Sequence, residues 1–245
     1  MRTLKLTLTY DGTDYAGWQR QINALAIQQV VEEAFAHLTG GVPPTISGAG
    51  RTDSGVHAMG QVASVNVEFE HSPLSVQRAL NMRLPPAIRV LEVVEARMGF
   101  HARFHATGKA YRYRMVTAPV LSPFDRHFAW HVPWPLDVRA MQQAAESLSG
   151  THDFASFQAS GTTITDTTRT LERLTLTDRG GELLLDAAGD GFLRHMVRII
   201  AGTLMEVGAG HRRADSIPDI IEARSRDAAG KTAPPQGLTL MGVRY

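Results

Sequence analysis

Ser47-Gly-Ala-Gly-Arg-Thr-Asp-Ser-Gly-Val-His57 stands between a helical pattern and a strand pattern. It is too rich in glycine and charge for a plain connector. Gly48, Gly50 and Gly55 surround Arg51 and Asp53, with only Thr52 between the two charges. Glycine allows positive φ and lets another molecule come close to the backbone. If the loop runs extended, residues 51 and 53 point to the same side, because side chains alternate with period two. Arg51 would then hold the Asp53 carboxylate charged and aimed. The plain alternative is a surface turn with an exposed ion pair, which contributes little. A phosphate-binding P-loop is excluded, since no Gly-Lys-Ser/Thr follows the glycines. A Ser54–His57–Asp53 triad is disfavoured, because triads converge from distant segments. What remains is a lone carboxylate acting as nucleophile or general base on something that packs against glycine.

Upstream, Ile27, Val30, Val31, Ala34, Phe35 and Leu38 follow helical spacing and predict an amphipathic helix closed by Gly40-Gly41. Pro43-Pro44 forces an extended approach to the loop. Downstream, Gln61–Phe69 predicts a strand with Ala63, Val65, Val67 and Phe69 on one face. The carboxylate therefore sits between a helix and a strand, where a sheet can hold it rigidly. At the start of the chain, Arg2–Tyr10 alternates strictly and predicts a half-buried strand ended by Asp11-Gly12. Asp14–Gln21 carries Trp18 and Arg20 without periodicity. It reads either as a mobile loop that touches substrate or as a connector whose tryptophan is core. Ser72-Pro73 reads as an N-cap with proline at N1, opening a helix that stops before Pro85-Pro86. Arg89–Glu95 is the next strand.

Lys109, Tyr111, Tyr113 and Met115 then share one face of a strand, and Arg112, Arg114 and Val116 the other. Basic and aromatic residues interleaved in this way suit a surface that stacks on single-stranded bases; the plain alternative is that the tyrosines are core-edge aromatics. Pro119, Pro123, Pro133 and Pro135 mark a linker-like middle, which places a boundary between an N-terminal lobe, 1–118, and a C-terminal lobe, 119–245. The second lobe offers a helix from about Asp137 to Ser149 and strands at Thr170–Thr177 and Glu182–Ala188, joined at Arg179-Gly180-Gly181. A long helix carries Phe192, Met196, Ile199, Ile200, Thr203, Leu204 and Val207, with Arg194 and Arg198 on one face. Ile217-Pro218 opens a last helix and Leu238–Tyr245 closes as a strand. Both halves mix strands and helices, which implies an α+β fold of two similar lobes with a cleft between them.

A chain of 245 residues with 43% hydrophobic and 20% charged content is an ordinary globular one. No apolar run has the length of a membrane helix, and the chain begins directly with a strand pattern, so no signal peptide is expected. No cysteine means no disulfide, thiolate metal site or thiol nucleophile. Cytoplasm is the default location. The net charge is +1, so its distribution matters more than its size. Between Glu95 and Asp125 there is no acidic residue, while Arg97, Arg103, Lys109, Arg112 and Arg114 lie there with His101 and His105. Of the 25 basic residues 22 are arginine, which fits either compositional bias or phosphate and base recognition. Crowded like charges need a partner. His101 and His105 are four apart but lack an intervening Glu and a third ligand, so zinc is not expected.

Ala49-Gly-Arg-Thr-Asp-Ser-Gly-Val-His57 resembles the signature of the tRNA pseudouridine synthase A family. The likeness continues in Tyr10-Asp-Gly-Thr-Asp-Tyr-Ala-Gly-Trp-Gln-Arg-Gln21, Phe100-His-Ala-Arg103, Lys109-Ala-Tyr111, Gly150-Thr-His-Asp-Phe154 and His195-Met-Val-Arg198, in order along nearly the whole chain. His105 departs from the family, which usually has a small or acidic residue there. The resemblance implies two lobes around a shared, mainly antiparallel sheet with helices on one side. It implies isomerisation of uridine to pseudouridine in the tRNA anticodon stem-loop, at positions 38–40, by a homodimer that grips one tRNA. It makes Asp53 the catalytic carboxylate and Tyr111, Arg198 and Arg51 substrate-binding residues. Arg198 would pair with Asp53, Arg51 would help hold the nucleotide out of its stem, and Tyr111 would pack on the uracil. Arg20, Arg103, Lys109, Arg112 and Arg114 are expected to contact RNA. No metal or organic cofactor is required, because no redox change or external group enters.

Two routes are open for the chemistry: Asp53 attacks C1′, as a retaining glycosidase carboxylate does, or it removes the 2′ proton to give a glycal. Two other functions compete. A non-catalytic structured-RNA-binding protein would use the basic, aromatic strand and isomerise nothing. A glycoside hydrolase would release free base, but no second acid lies in the glycine loop.

Overall fold

The computed structural model describes residues 1–162 and 164–245. The chain forms two compact units, one of Met1–Thr107 with Leu240–Tyr245, the other of Gly108–Thr239. Each mixes helices with mainly antiparallel strands, so the class is α+β.

In the first unit β1 (Arg2–Tyr10) and α1 (Ile27–Ala36) are followed by β2 (Ser47–Gly48), β3 (His57–Val67), α2 (Pro73–Arg83) and β4 (Ile88–Ala96). β1 lies between β3 and β4 and is antiparallel to both. Its alternation buries Leu4, Leu6, Leu8 and Tyr10 on one face, as the pattern predicts. β2 pairs with β3 through Ser47 with Ser64 and Gly48 with Ala63, which fixes the approach to the glycine loop on the sheet. α2 starts where expected: the Ser72 hydroxyl accepts the Ser75 N–H at 3.2 Å, with Pro73 next to it. β4 is an outer strand. Asn81 of α2 bonds both the N–H and the carbonyl of Val90, each at 2.8 Å, and Gln77 bonds the carbonyl of Leu91 at 2.6 Å. These amides blunt an edge that would otherwise offer bare backbone groups.

The second unit contains β5 (Gly108–Val116), β6 (Trp130–His131), α3 (Val138–Glu146), β7 (Gly150–Asp153), β8 (Thr168–Asp178), β9 (Glu182–Gly189), α4 (Met196–Gly208) and α5 (Ile217–Ala223). Its strands run in the order β5-β9-β8-β7, antiparallel throughout, and β6 adds a short parallel pairing to β5. The β8–β9 hairpin turns at Gly180 and Gly181, with φ of 68° and 103°, a conformation that favours glycine. α3 is capped by Asp137, which accepts the Ala140 N–H at 2.9 Å. α3 packs on α4 at Gly208, where any Cβ would meet Met141 Sδ at 2.5 Å. The last strand, β10 (Leu238–Arg244), belongs mostly to the first unit and neighbours β3. Among the described residues no helix is long and apolar enough to cross a membrane.

Four expectations need correction. α4 begins at Met196, because His195 adopts a left-handed φ of 61° that a helix cannot include. Phe192 and Arg194 therefore precede the helix, and Arg194 does not share a helical face with Arg198; it donates to the carbonyl of Ser160 at 3.2 Å. β3 starts at His57 and ends at Val67, before Phe69. α1 ends at Ala36, so Leu38 lies beyond it; Leu38 and Val30 are only half-buried, and the polar Gln28 and Glu32 of α1 are buried instead. Finally, the window without acids is acid-free only along the chain. Arg112 makes a two-point pair with Asp186 of β9 at 2.8 and 3.0 Å, and Arg114 meets Glu182 at 2.7 Å and Asp125 at 3.2 Å.

Candidate active site

The glycine loop is built against the segment that follows β1. Thr52 is buried between exposed Arg51 and half-buried Asp53, the alternation an extended loop requires. Its carbonyl accepts the Trp18 N–H at 3.1 Å and its hydroxyl meets the Tyr10 hydroxyl at 2.8 Å. Fully buried Gln61 of β3 donates to the Gly50 carbonyl at 2.9 Å and reaches Tyr10 at 3.4 Å. Beyond Asp53 the chain turns through Gly55, φ 76°, closed by Val56 N–H to the Asp53 carbonyl at 3.1 Å. The Gly55 N–H and the Ser54 hydroxyl both donate to the Tyr15 carbonyl, at 3.3 and 3.2 Å. Asp53 is thus clamped from both sides by bonds made to its neighbours, the rigid support that a reacting carboxylate needs.

Trp18 is core, at 2% exposure, which decides between the two readings of Asp14–Gln21 for that residue. Its ring stacks on Tyr10 at 6.2 Å, and its indole lies where a Cβ on Gly48 would be. Gly17 touches the loop equally closely: a Cβ there would strike the Thr52 carbonyl oxygen. His57 is buried, with Nδ1 accepting the Gly12 N–H at 3.0 Å and lying 3.2 Å from Asp11. With Ser54 bonded to Tyr15 and His57 Nδ1 to Gly12, the loop is not wired as a triad.

Tyr10 gives a test of this support. Burial pushes its hydroxyl up to about 12, against the bonds to Thr52 and Gln61 that pull it down. A phenol with a raised pKa in the folded state adds stability that is complete below about pH 10, its unfolded value, and is lost as pH climbs towards the folded value. Wild type should lose on the order of 2 kcal/mol relative to Tyr10→Phe over that interval. Near neutrality Tyr10→Phe should be less stable by about 1–2 kcal/mol, because Thr52 and Gln61 lose a partner. Denaturant titrations of both proteins at several pH values measure the difference.

Arg20 is set by α1. Its guanidinium meets Glu32 at 3.1 Å, and its N–H and the Gln19 amide are accepted by the Gln28 side chain at 3.0 and 2.9 Å. Glu32, 4% exposed, also accepts from Gln28 and from the Ile46 N–H, at 2.9 and 3.0 Å. One carboxylate thereby ties the Gln19–Arg20 segment to the chain entering the loop. Glu32→Ala should cost about 2–3 kcal/mol, since it strands a buried N–H and a buried amide; chemical denaturation measures it. Arg103 lies in an exposed turn, its guanidinium 5.9 Å from the Phe104 ring.

The other expected site residues belong to the second unit. Tyr111 of β5 is buried, opposite Ala187, with its ring edge-on to Phe192 at 5.0 Å. Arg198 occupies the first turn of α4; its Nε donates to the Ala233 carbonyl at 2.8 Å, and its carbonyl accepts the Ala233 N–H at 3.0 Å. Tyr113 holds the adjacent Pro234 carbonyl at 2.7 Å. Burial pushes the Tyr113 hydroxyl far up, and the Arg198 charge partly opposes this. Tyr113, at 0% exposure, is a packed core aromatic. Lys109 is half-buried opposite Gly189, and Arg112 and Arg114 are engaged by the pairs described above. Sequence reading missed Tyr10, Gln61, Gln28 and Glu32 as supports. The available signal was polar residues interrupting apolar faces.

Comparison with known proteins gives the family. The family model described as tRNA pseudouridine synthase matches residues 7–105 and 144–245. The chain is 47% identical over 245 residues to a protein of Acetivibrio thermocellus named tRNA pseudouridine synthase A, covering all of both chains. It is 45% identical to the protein of the same name from Halalkalibacterium halodurans, over 97% of this chain and 90% of that one. It is also 45% identical, over the full length of both, to that of Geobacter sulfurreducens. The chain belongs to the tRNA pseudouridine synthase family.

Proposed function

We propose that this protein isomerises uridine to pseudouridine at positions 38–40 of the tRNA anticodon stem-loop, with Asp53 as the catalytic carboxylate. The observation that carries the reading is the Asp53 loop, held by Tyr10, Trp18 and Gln61 in a chain similar along its whole length to proteins named tRNA pseudouridine synthase A. The reaction breaks the C1′–N1 bond, turns the base over and joins C1′ to C5; the C5 proton leaves and N1 gains one. The target lies in a folded stem-loop, so its nucleotide must be flipped out, at a cost of about a few kcal/mol. Arg51 and Arg198 offset that cost by binding the nucleotide, Arg198 pairing with Asp53, while Tyr111 packs on the uracil. Arg20, Arg103, Lys109, Arg112 and Arg114 hold the surrounding RNA. In this reading residues 1–118 form the lobe that carries the carboxylate and residues 119–245 form the second lobe. In this reading the two similar lobes share one sheet with helices on one side, and the protein works in the cytoplasm as a homodimer. The test is tritium release from tRNA labelled at uridine C5. Release that scales with protein supports the reading; tRNA binding without release favours a non-catalytic RNA-binding protein.

A further inference from the structure

We propose that the His101–His105 turn is a stacking platform for an unpaired nucleobase of the tRNA other than the uridine being isomerised, with the Phe104 ring as its face. The inference rests on the tRNA reading above. Phe104 is 74% exposed, an uncommon fate for phenylalanine, yet its setting is fixed. The His101 ring lies 4.3 Å from it, tilted by 31°, and the Arg103 guanidinium lies 5.9 Å from its centroid. The turn beneath is closed by the His105 N–H to the His101 carbonyl at 3.1 Å. The Nδ1 atoms of both histidines accept backbone N–H groups: His105 from His101 at 2.9 Å, His101 from Arg103 at 3.1 Å. His105 thus caps the turn with its own ring. It is itself stacked on Phe100 at 5.7 Å.

The platform is rooted beside the catalytic loop. Ala102 is fully buried; its N–H donates to the Ser64 hydroxyl at 3.0 Å and its carbonyl accepts from the Tyr245 hydroxyl at 2.8 Å. It shares a core cluster with Val62 and with Ala49, the residue that leads into Gly50 and Arg51. The ring therefore projects from a turn bonded to the same strand that supports the loop. Its chemistry fits RNA. An aromatic ring 74% exposed, with an imidazole packed 4.3 Å from it and a guanidinium over it at 5.9 Å, matches a base whose own backbone is anionic. The turn itself, residues 100–105, carries no carboxylate of its own. An acidic peptide would use the cations but would leave the flat face unmatched.

Equilibrium binding of a tRNA transcript to wild type, Phe104→Ala, Phe104→Leu and Phe104→Trp tests this, with circular dichroism confirming that each protein is folded. Stacking predicts that the Ala and Leu variants bind roughly 5- to 100-fold more weakly, while Trp stays close to wild type. Wild-type affinity in Phe104→Ala overturns the proposal and leaves the ring to a different partner. Equal affinity of the Leu and Trp variants also overturns it, because an apolar contact would then suffice. Failure of the functional reading looks different: wild-type protein would release no tritium from labelled tRNA, whatever the Phe104 series shows.

Discussion

Asp53→Asn binds tRNA as wild type does and forms no pseudouridine: that is the expected result if the loop works through this carboxylate. The substitution keeps the size of the side chain and removes its negative charge and basicity, so both attack on C1′ and removal of the 2′ proton are lost. The supports of the loop described above remain, because those bonds run to Gly50, Thr52, Ser54 and Gly55 and to the Asp53 backbone. Loss of a catalytic group of this kind costs about 10^4-fold or more in rate. A mass-resolved digest of treated tRNA, beside a binding titration, separates the two properties. Pseudouridine formed at a wild-type rate by the Asn variant would remove Asp53 from the chemistry.

The second large effect concerns backbone. Gly17 has φ 83°, and a Cβ there would strike the Thr52 carbonyl oxygen and lie 3.0 Å from the Asp53 carbonyl carbon and 3.2 Å from the Ser54 nitrogen. All three are backbone atoms of the loop that carries the carboxylate, so none can swing aside as a flexible side chain would. Gly17→Ala should therefore destabilise the fold by about 3 kcal/mol or more, combining a strained φ with overpacking. Whatever folds should have a displaced Asp53, and a shift of about 1 Å can cost on the order of 10²-fold in rate. Gly40→Ala is the matched control. Gly40 has φ 71°, and a Cβ added there would meet nothing within 4 Å, so it carries only the strain of the left-handed conformation, about 1–2 kcal/mol. Denaturation and tritium release measured on both variants separate backbone strain from collision with the loop. Equal losses in the two would mean that Gly17 does not support the loop.

Patterns confined to one segment were legible in the sequence. The alternation of β1, the Ser72-Pro73 start of α2 and the Gly180-Gly181 turn each follow from residues within a few positions of one another. β2, β6 and β7 were not legible, since strands of two to four residues exist only through the partner they pair with. The start of α4 was missed because a left-handed histidine has no composition signal. Long-range charge was equally hidden. Arg112 finds Asp186 74 positions away, so a window without acids gave no view of the neighbouring strand. At the site, the motif located Asp53, but its supports come from β1 and β3. Thr52 turning inward to Tyr10, 42 positions away, is a fact of tertiary packing. The buried Gln28 and Glu32 interrupt the apolar face of α1 for the same reason: their partners, Arg20 and Ile46, lie on other segments.

The most direct measurement is a site-resolved map of pseudouridine in an unmodified tRNA transcript after incubation with the purified protein. The expected result is pseudouridine at uridines 38–40 and unchanged uridine elsewhere. A fully folded protein that binds the transcript and leaves those positions as uridine, or that modifies a different arm, would contradict the proposed function.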